Sequence, residues 1–257
     1  MIDFDALAER LDSAACHAEP LAQLSATRAF SLEEAYEIQR ASMERRVHRG
    51  ETMIGVKLGF TSRAKMIQMG VDSLIWGWLT DTMLEEDGAR VALERFIHPR
   101  VEPEVCYLTS RDIDCPLTAL EASRYLEAVA PAMEIIDSRY RDFRFTLEDV
   151  IADNCSSAGL VVGPWSRDFA HLRNAGVIMR VDGRIVQTGS TAAILGNPLR
   201  SVVQASRLVS ESGMVLRAGS LIMAGAATAA HPLVAGTHVH CTIAGLGSTE
   251  FTTSRKS

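Results

Sequence analysis

No apolar run in this 257-residue chain approaches the roughly 20 positions needed to cross a bilayer, so a membrane span is not what organises it. Basic charge never accumulates either. The net charge is −6, and the single dense cationic stretch is Arg45-Arg46-Val47-His48-Arg49. That stretch falls where a helix is expected to end, where cations favour the dipole, and it leaves no electrostatic footprint for nucleic acid. Five cysteines, Cys16, Cys106, Cys115, Cys155 and Cys241, are odd in number and lack C-x-x-C spacing. Neither a disulfide framework nor a thiolate zinc site follows, and a reducing cytoplasm is the expected location. The opening Met1 to Asp5 is acidic and leads into no apolar core region, so neither a secretory nor a transit peptide is indicated. Internal repeats, low-complexity stretches and clear linkers are missing as well.

What is present is ordinary globular material: 47% hydrophobic and 23% charged residues, enough to bury a substantial core. Residues from Phe4 to Arg49 read as helical, with Ser31 and Glu34 as a capping box and Gly50 as the stop. This part looks like a helical cap or interface element. Strands dominate the remainder. Thr52 to Gly59 alternates, Thr61 to Met69 is a short helix ended by Gly70, and Leu74 to Leu79 is a buried wall. Its Trp76 and Trp78 fit a core or pocket lining better than a base-stacking platform on an acidic protein. An extended segment at Ile97 to Tyr107 is followed by an amphipathic helix at Thr118 to Ala130, a strand at Ala132 to Asp137 and a short helix at Thr146 to Ala152. A strand at Leu160 to Val162 follows, and Asp182-Gly183 joins Val177 to Val181 with Arg184 to Gln187 as a hairpin. Asn197 and Pro198 open a helix ending near Gly213, and strands occupy Ser220 to Met223, Thr237 to Ile243 and Ser248 to Thr252. The sum is an α+β fold.

The chemistry concentrates in Val101-Glu102-Pro103-Glu104-Val105. In an extended chain, side chains two apart share a face, so Glu102 and Glu104 project together while Val101, Pro103 and Val105 face the other way. Glu134 lies inside the apolar run Pro131 to Ile136, where an unpaired carboxylate is costly. One solution gathers the three acids around a hard divalent ion. The other leaves Glu102 and Glu104 on a solvated strand face and pairs Glu134 with an arginine. Lys57 stands between Gly55 and Gly59, which suggests close approach of a ligand to the backbone, although a surface lysine on an edge strand fits the same pattern. Asp137 to Phe143 is dense in ionisable groups and reads either as a site or as a salt-bridge network. Hydroxyls at Ser156 and Ser157 can hold a carboxylate or simply close turns, and the small-residue loop Ala224 to Thr228 suits close ligand approach.

Gly55-x-Lys57-x-Gly59-x-Thr61-Ser62, Gly70-Val71-Asp72, His98-Pro99-x-Val101-Glu102-x-Glu104, Glu134 to Tyr140 and Ile151-Ala152-Asp153-Asn154-x-Ser156-Ser157 together resemble the hydratase/decarboxylase branch of the fumarylacetoacetase superfamily. The resemblance covers nearly the whole chain. It implies one fumarylacetoacetase-like domain over residues 1–257, with 1–50 a helical subregion ahead of a mixed β-roll or barrel core. It also implies Mg2+ or Mn2+ on Glu102, Glu104 and Glu134, a catalytic Lys57, and Ser156 and Thr228 against the oxo-acid end of a small 2-oxo acid. The reaction implied is metal-dependent decarboxylation of 2-oxo-3-hexenedioate in meta-cleavage catabolism of aromatic compounds. Hydration of 2-hydroxypenta-2,4-dienoate is the alternative, and a non-catalytic oxo-acid-binding partner subunit is a third reading. A homo-oligomer and a complex with the pathway hydratase are the partners expected. Two departures fall near the implied pocket: Gly225-Ala226 where many relatives carry Gly-Gly, and Leu74 in place of a frequent proline.

Overall fold

The structure is a computed structural model and describes residues 3–62, 66–67 and 74–254. Helix α1 (Phe4–His17) ends at Ala18, which adopts the left-handed conformation at φ 53°. Helix α2 (Leu32–His48) starts on the expected capping box. Ser31 N donates to the Glu34 carboxylate at 2.7 Å, and Glu34 N donates back to Ser31 Oγ at 3.2 Å. The two helices, with α3 (Leu147–Ala152), bury Ala8, Leu11, Ile38, Val150 and Ile151 in a core of their own.

Thirteen strands follow among the described residues. In the larger sheet, β1 (Met53–Gly59) lies between β2 (Ile75–Thr80) and β10 (Leu221–Met223). The sheet continues through β5 (Arg100–Thr109), β6 (Leu126–Ile136), β7 (Ser157–Val162) and β3 (Leu84–Glu85), with β11 (His231–Pro232) pairing β5 as well. The smaller sheet runs β4 (Arg90–Val91), β13 (Gly247–Thr253), β12 (His238–Ile243), β8 (Gly176–Val181) and β9 (Arg184–Ser190). Both sheets are mixed, since β1/β10, β3/β7 and β4/β13 pair in parallel. The main core joins Val101, Val105 and Met133 of the larger sheet to Met179, Val239 and Phe251 of the smaller, closed by Val202 and Val209 of α4 (Leu199–Glu211). The core therefore takes the odd-numbered residues of β5. The even-numbered ones, Glu102 and Glu104, are left for the opposite face.

The helix expected over Thr118 to Ala130 is not there. Glu121 does accept hydrogen bonds from the Thr118 amide and hydroxyl at 2.9 and 2.6 Å, as a helix start would have it. Only Ala122–Tyr125 makes a 3-10 turn, and the strand expected from Ala132 begins instead at Leu126. Leu126, Val129 and Met133 suit a helical period as well as a strand buried on both faces, and pairing with β5 along its whole length decides for the strand. The hairpin at Asp182-Gly183 forms with both residues left-handed, at φ 49° and 79°. The helix expected from Thr61 to Met69 and the Gly70-Val71-Asp72 motif lie largely outside the described residues.

The glycines around Lys57 admit neighbouring parts of the same chain. A Cβ on Gly55 would stand 2.0 Å from the Leu221 carbonyl oxygen on β10, and one on Gly59 would stand 2.7 Å from Ile75 Cγ1 on β2. Because the first obstacle is backbone, Gly55→Ala must separate β1 from β10. We expect it to cost about 3 kcal/mol, at the upper end of overpacking penalties. The readout is the urea midpoint, and an unmoved midpoint would show that the two strands part cheaply.

Candidate metal centre

Register brings the acids together. Antiparallel β5 and β6 place Glu102 directly opposite Glu134, and Glu104 follows two residues along on the same face. Glu102, Glu104 and Glu134 are 6%, 1% and 0% exposed, and each offers a carboxylate oxygen within 4.8 Å of the others. The solvated-face alternative is thereby excluded. Nor, among the described residues, is an arginine the partner of Glu134. Lys57, on β1 and itself buried, sets its Nζ 3.1 Å from Glu134 Oε2 and donates to the Cys155 carbonyl at 3.0 Å.

The three buried carboxylates lie beside this ammonium. Glu104 Oε2 accepts a hydrogen bond from Gly225 N at 2.8 Å, whereas Glu104 Oε1 has no hydrogen-bond partner. Neither Glu134 oxygen has a well-aligned donor, despite the closeness of Lys57. Burial raises the Glu104 pKa well above the usual carboxylate range; the Glu134 charge adds to the rise and Lys57 opposes it. Glu134 is raised too, by burial first, with Lys57 pulling down and Glu102 pushing up. For Lys57, burial works against the charge, but Glu134, Cys155 and the two other glutamates outweigh it and raise the pKa. Hard carboxylate oxygens left without hydrogen-bond partners in a dry space are the donor set of a divalent cation such as magnesium. The residues present fit that ion.

A pH dependence follows. Glu104 and Glu134 hold protons in the metal-free folded protein at pH values where an unfolded carboxyl, with a pKa of about 4.3, has lost them. The folded state then binds more protons, so metal-free stability falls as pH rises. Asp153, pushed up to about 6 by burial against the pull of Arg139, adds to the same slope. Magnesium needs the ionised carboxylates, so its stabilisation runs the other way. We expect the melting temperature in EDTA to fall between about pH 5 and pH 8, while the rise on adding Mg2+ grows over that range. A magnesium-induced shift independent of pH would separate the ion from these carboxylates.

Ser156 is buried, and its Oγ has no hydrogen-bond partner, which leaves a hydroxyl for something else to satisfy. It closes a turn in which Asn154, Cys155 and Ser156 are all left-handed, at φ 49°, 52° and 58°. This turn aims the Cys155 carbonyl at Lys57. Asn154 holds it in place: its Oδ1 accepts from Trp78 N at 2.7 Å and its Nδ2 donates to Trp78 O at 3.0 Å. Thr228 lies in the loop that carries Gly225. Its hydroxyl donates to the Ala229 carbonyl at 3.1 Å, and Gly225 reaches Glu104. The Asp137 to Phe143 segment resolves partly into structure. Arg139 is committed to Asp153 and the Ser157 carbonyl, and the Asp137 carboxylate accepts the Ile97 and His98 amides.

Sequence reasoning missed two supports of the site. Gly225 supplies an amide to Glu104, and its φ of 105° and the Thr61 side chain packed on it leave no room for a Cβ. Gln39, on a helix that seemed to hold no chemistry, is 1% exposed and donates to the carbonyls of Trp76 and Ile151 at 3.1 and 2.9 Å, tying α2 to β2 and α3. The signal was a glutamine among Ala35, Ile38 and Ser42 on the buried face of α2.

A buried three-carboxylate cluster with a lysine, mounted on a curled mixed sheet, is the centre of a magnesium-type metalloenzyme. The model of the Fumarylacetoacetate (FAA) hydrolase C-terminal family matches residues 53–253, and the chain belongs to that family. It is 52% identical, over 96% of its own length and 97% of the other's, to a 4-oxalocrotonate decarboxylase from a Pseudomonas species. It is 37% identical to a 2-keto-4-pentenoate hydratase from Paraburkholderia xenovorans, over 86% of this chain and 84% of that one. The structure of 4-oxalocrotonate decarboxylase from Pseudomonas putida complexed with magnesium and adipate superposes with a TM-score of 0.93 at 35% identity, covering 97% of each chain.

Proposed function

We propose that this protein is a magnesium-dependent carboxy-lyase that converts 2-oxo-3-hexenedioate (4-oxalocrotonate) to 2-hydroxypenta-2,4-dienoate and CO2 in meta-cleavage catabolism of aromatic compounds. The observation that carries it is the buried cluster of Glu102, Glu104 and Glu134 beside Lys57, in which Glu104 Oε1 and both Glu134 oxygens lack a hydrogen-bond partner, in a chain 52% identical to a decarboxylase of that substrate. In this reading the three glutamates hold magnesium, or manganese in its place, and Lys57 is the catalytic residue. Ser156 and Thr228 hold the oxo-acid end, and residues 1–257 act as one unit with 1–50 as its helical part.

Decarboxylation breaks the C5–C6 bond of the substrate. C6 leaves as neutral CO2, and the electron pair stays on C5, spreads through the C3–C4 double bond to the C2 oxygen and is neutralised there by one proton. Magnesium on the three glutamates supplies Lewis acidity toward that oxygen. Lys57 adds a fixed positive charge. As an ammonium beside Glu134 it stabilises the growing negative charge. The Cys155 carbonyl and Glu134 hold that ammonium in place, so no reorganisation is needed when the charge arrives. The Ser156 hydroxyl is free to donate to the substrate carboxylate. Arg139, locked onto Asp153, stays structural.

The purified protein with Mg2+, given 2-oxo-3-hexenedioate, is expected to release CO2 with the appearance of diene absorbance. Given the dienoate alone, it is expected to leave that absorbance intact. Loss of the diene without CO2 would make it a hydratase, and conversion of neither would leave a binding subunit. No helix among the described residues is long and apolar enough to cross a membrane. We further read the protein as a cytoplasmic homo-oligomer that associates with the pathway hydratase, tested by light scattering of each protein alone and of the mixture.

A further inference from the structure

The face of β5 that carries the glutamates continues past them. Two residues before Glu102, Arg100 has the same orientation, opposite Ile136 as Glu102 is opposite Glu134. Its guanidinium carbon lies 4.6 Å from the centroid of the Phe143 ring. Among the described residues no carboxylate lies within ion-pair distance of it. The nearby acid in the sequence, Asp137, is occupied by the amides of Ile97 and His98 at 2.8 Å each. The His98 ring packs on the same Phe143, at 5.0 Å between centroids, and its Nε2 is buried without a hydrogen-bond partner. Asp142 and Phe143 are both left-handed, at φ 59° and 58°, which is costly for a phenylalanine and persists where the surroundings enforce it. Among the described residues, a cation without an anion and an imidazole nitrogen without a partner thus converge on one strained aromatic residue, beside the strand that carries the glutamates.

We propose that Arg100 and His98, braced by Phe143, form the subsite for the second carboxylate of the substrate and set the preference for a dicarboxylate over a monocarboxylate. The proposal rests on the reading of the glutamates as the metal end of an oxo-dicarboxylate site. The spacing agrees. Two residues of antiparallel strand advance roughly 6.8 Å, and the five carbon–carbon bonds of a six-carbon diacid, each about 1.5 Å, span roughly 6 Å when extended. A guanidinium held by its face on a ring keeps its N–H donors directed outward for a carboxylate. His98 Nε2 can donate alongside it in the tautomer that carries its proton there. The contact serves binding rather than the chemical step. The carboxylate loses its charge as CO2 forms, so the interaction weakens along the reaction, and its removal shows more in KM than in kcat.

The test titrates the magnesium-loaded protein with adipate, with hexanoate and with oxalate, by calorimetry or by competition against substrate. Wild type is expected to prefer adipate over hexanoate. In Arg100→Gln adipate binding is expected to weaken by about tenfold or more, so that the preference collapses, while oxalate, which needs only the metal end, binds as before. Arg100→Lys recovers part of the preference, and in the turnover assay Arg100→Gln raises KM by a larger factor than it lowers kcat. Equal adipate binding in wild type and Arg100→Gln would overturn the subsite. So would equal weakening of adipate and oxalate, which would place Arg100 in support of the metal end. Failure of wild type to bind even oxalate would instead bring down the functional reading itself.

Discussion

Glu104→Gln is expected to lower turnover by at least about a thousandfold, since a metal's stabilisation of transition-state charge is several kcal/mol and each 1.36 kcal/mol is a factor of ten. It should do so without unfolding the protein. The amide retains an oxygen to accept the Gly225 N–H that Glu104 Oε2 now receives at 2.8 Å. Burial first, and then the Glu134 charge, disfavour an ionised Glu104, and the amide carries no charge to desolvate. The EDTA-treated variant is therefore expected to melt at or above the wild-type temperature, and the magnesium-induced rise to be lost. Neither result alone is sufficient, because a misfolded variant would also be inactive. A Glu104→Gln protein that keeps the wild-type magnesium shift would remove this carboxylate from the ion.

Lys57→Met is expected to separate the ion from the ammonium. Methionine fills the volume and removes the charge, so the magnesium-induced melting shift survives, and grows if anything, because a cation no longer competes for Glu134. Turnover falls by about a hundredfold to ten-thousandfold, the range for losing a preorganised charge or proton-transfer group at the reacting centre. The Cys155 carbonyl loses its donor, so some stability is lost as well, about 1–3 kcal/mol. Undiminished kcat in this variant would reduce Lys57 to a counter-ion for the glutamates.

The legible parts of the site were those with short-range logic. Glu102 and Glu104 share a face because any strand alternates, and Glu134 sits in an apolar run where a lone charge is untenable. The capping box of α2 and the Asp182-Gly183 turn were legible for the same reason. Thr118 to Leu126 was not, because the Thr118 cap and the apolar spacing are satisfied locally by either conformation, and only β5 alongside prefers one. The glycines beside Lys57 left two readings open, close approach of a ligand or a surface lysine on an edge strand. In fact the glycines are room for β10 and for Ile75. Thr228 showed how far composition reaches: its loop touches Glu104 through the Gly225 amide, which no side-chain pattern announces.

By itself the sequence settled which groups exist and which local faces they occupy: three acids, one lysine, an alternating strand, a small-residue loop and the family to which they belong. The tertiary structure alone decided their distances and their dryness. Strand register placed Glu134 across from Glu102 although 32 positions separate them in the sequence, and burial left carboxylate oxygens with no solvent to satisfy them. The physical reason is that pleat and capping depend on neighbours in the chain. The free energy of a charge depends on every atom that displaces water around it, and those atoms come from β1, β7, β10 and the turn at Asn154, which are assembled only by folding.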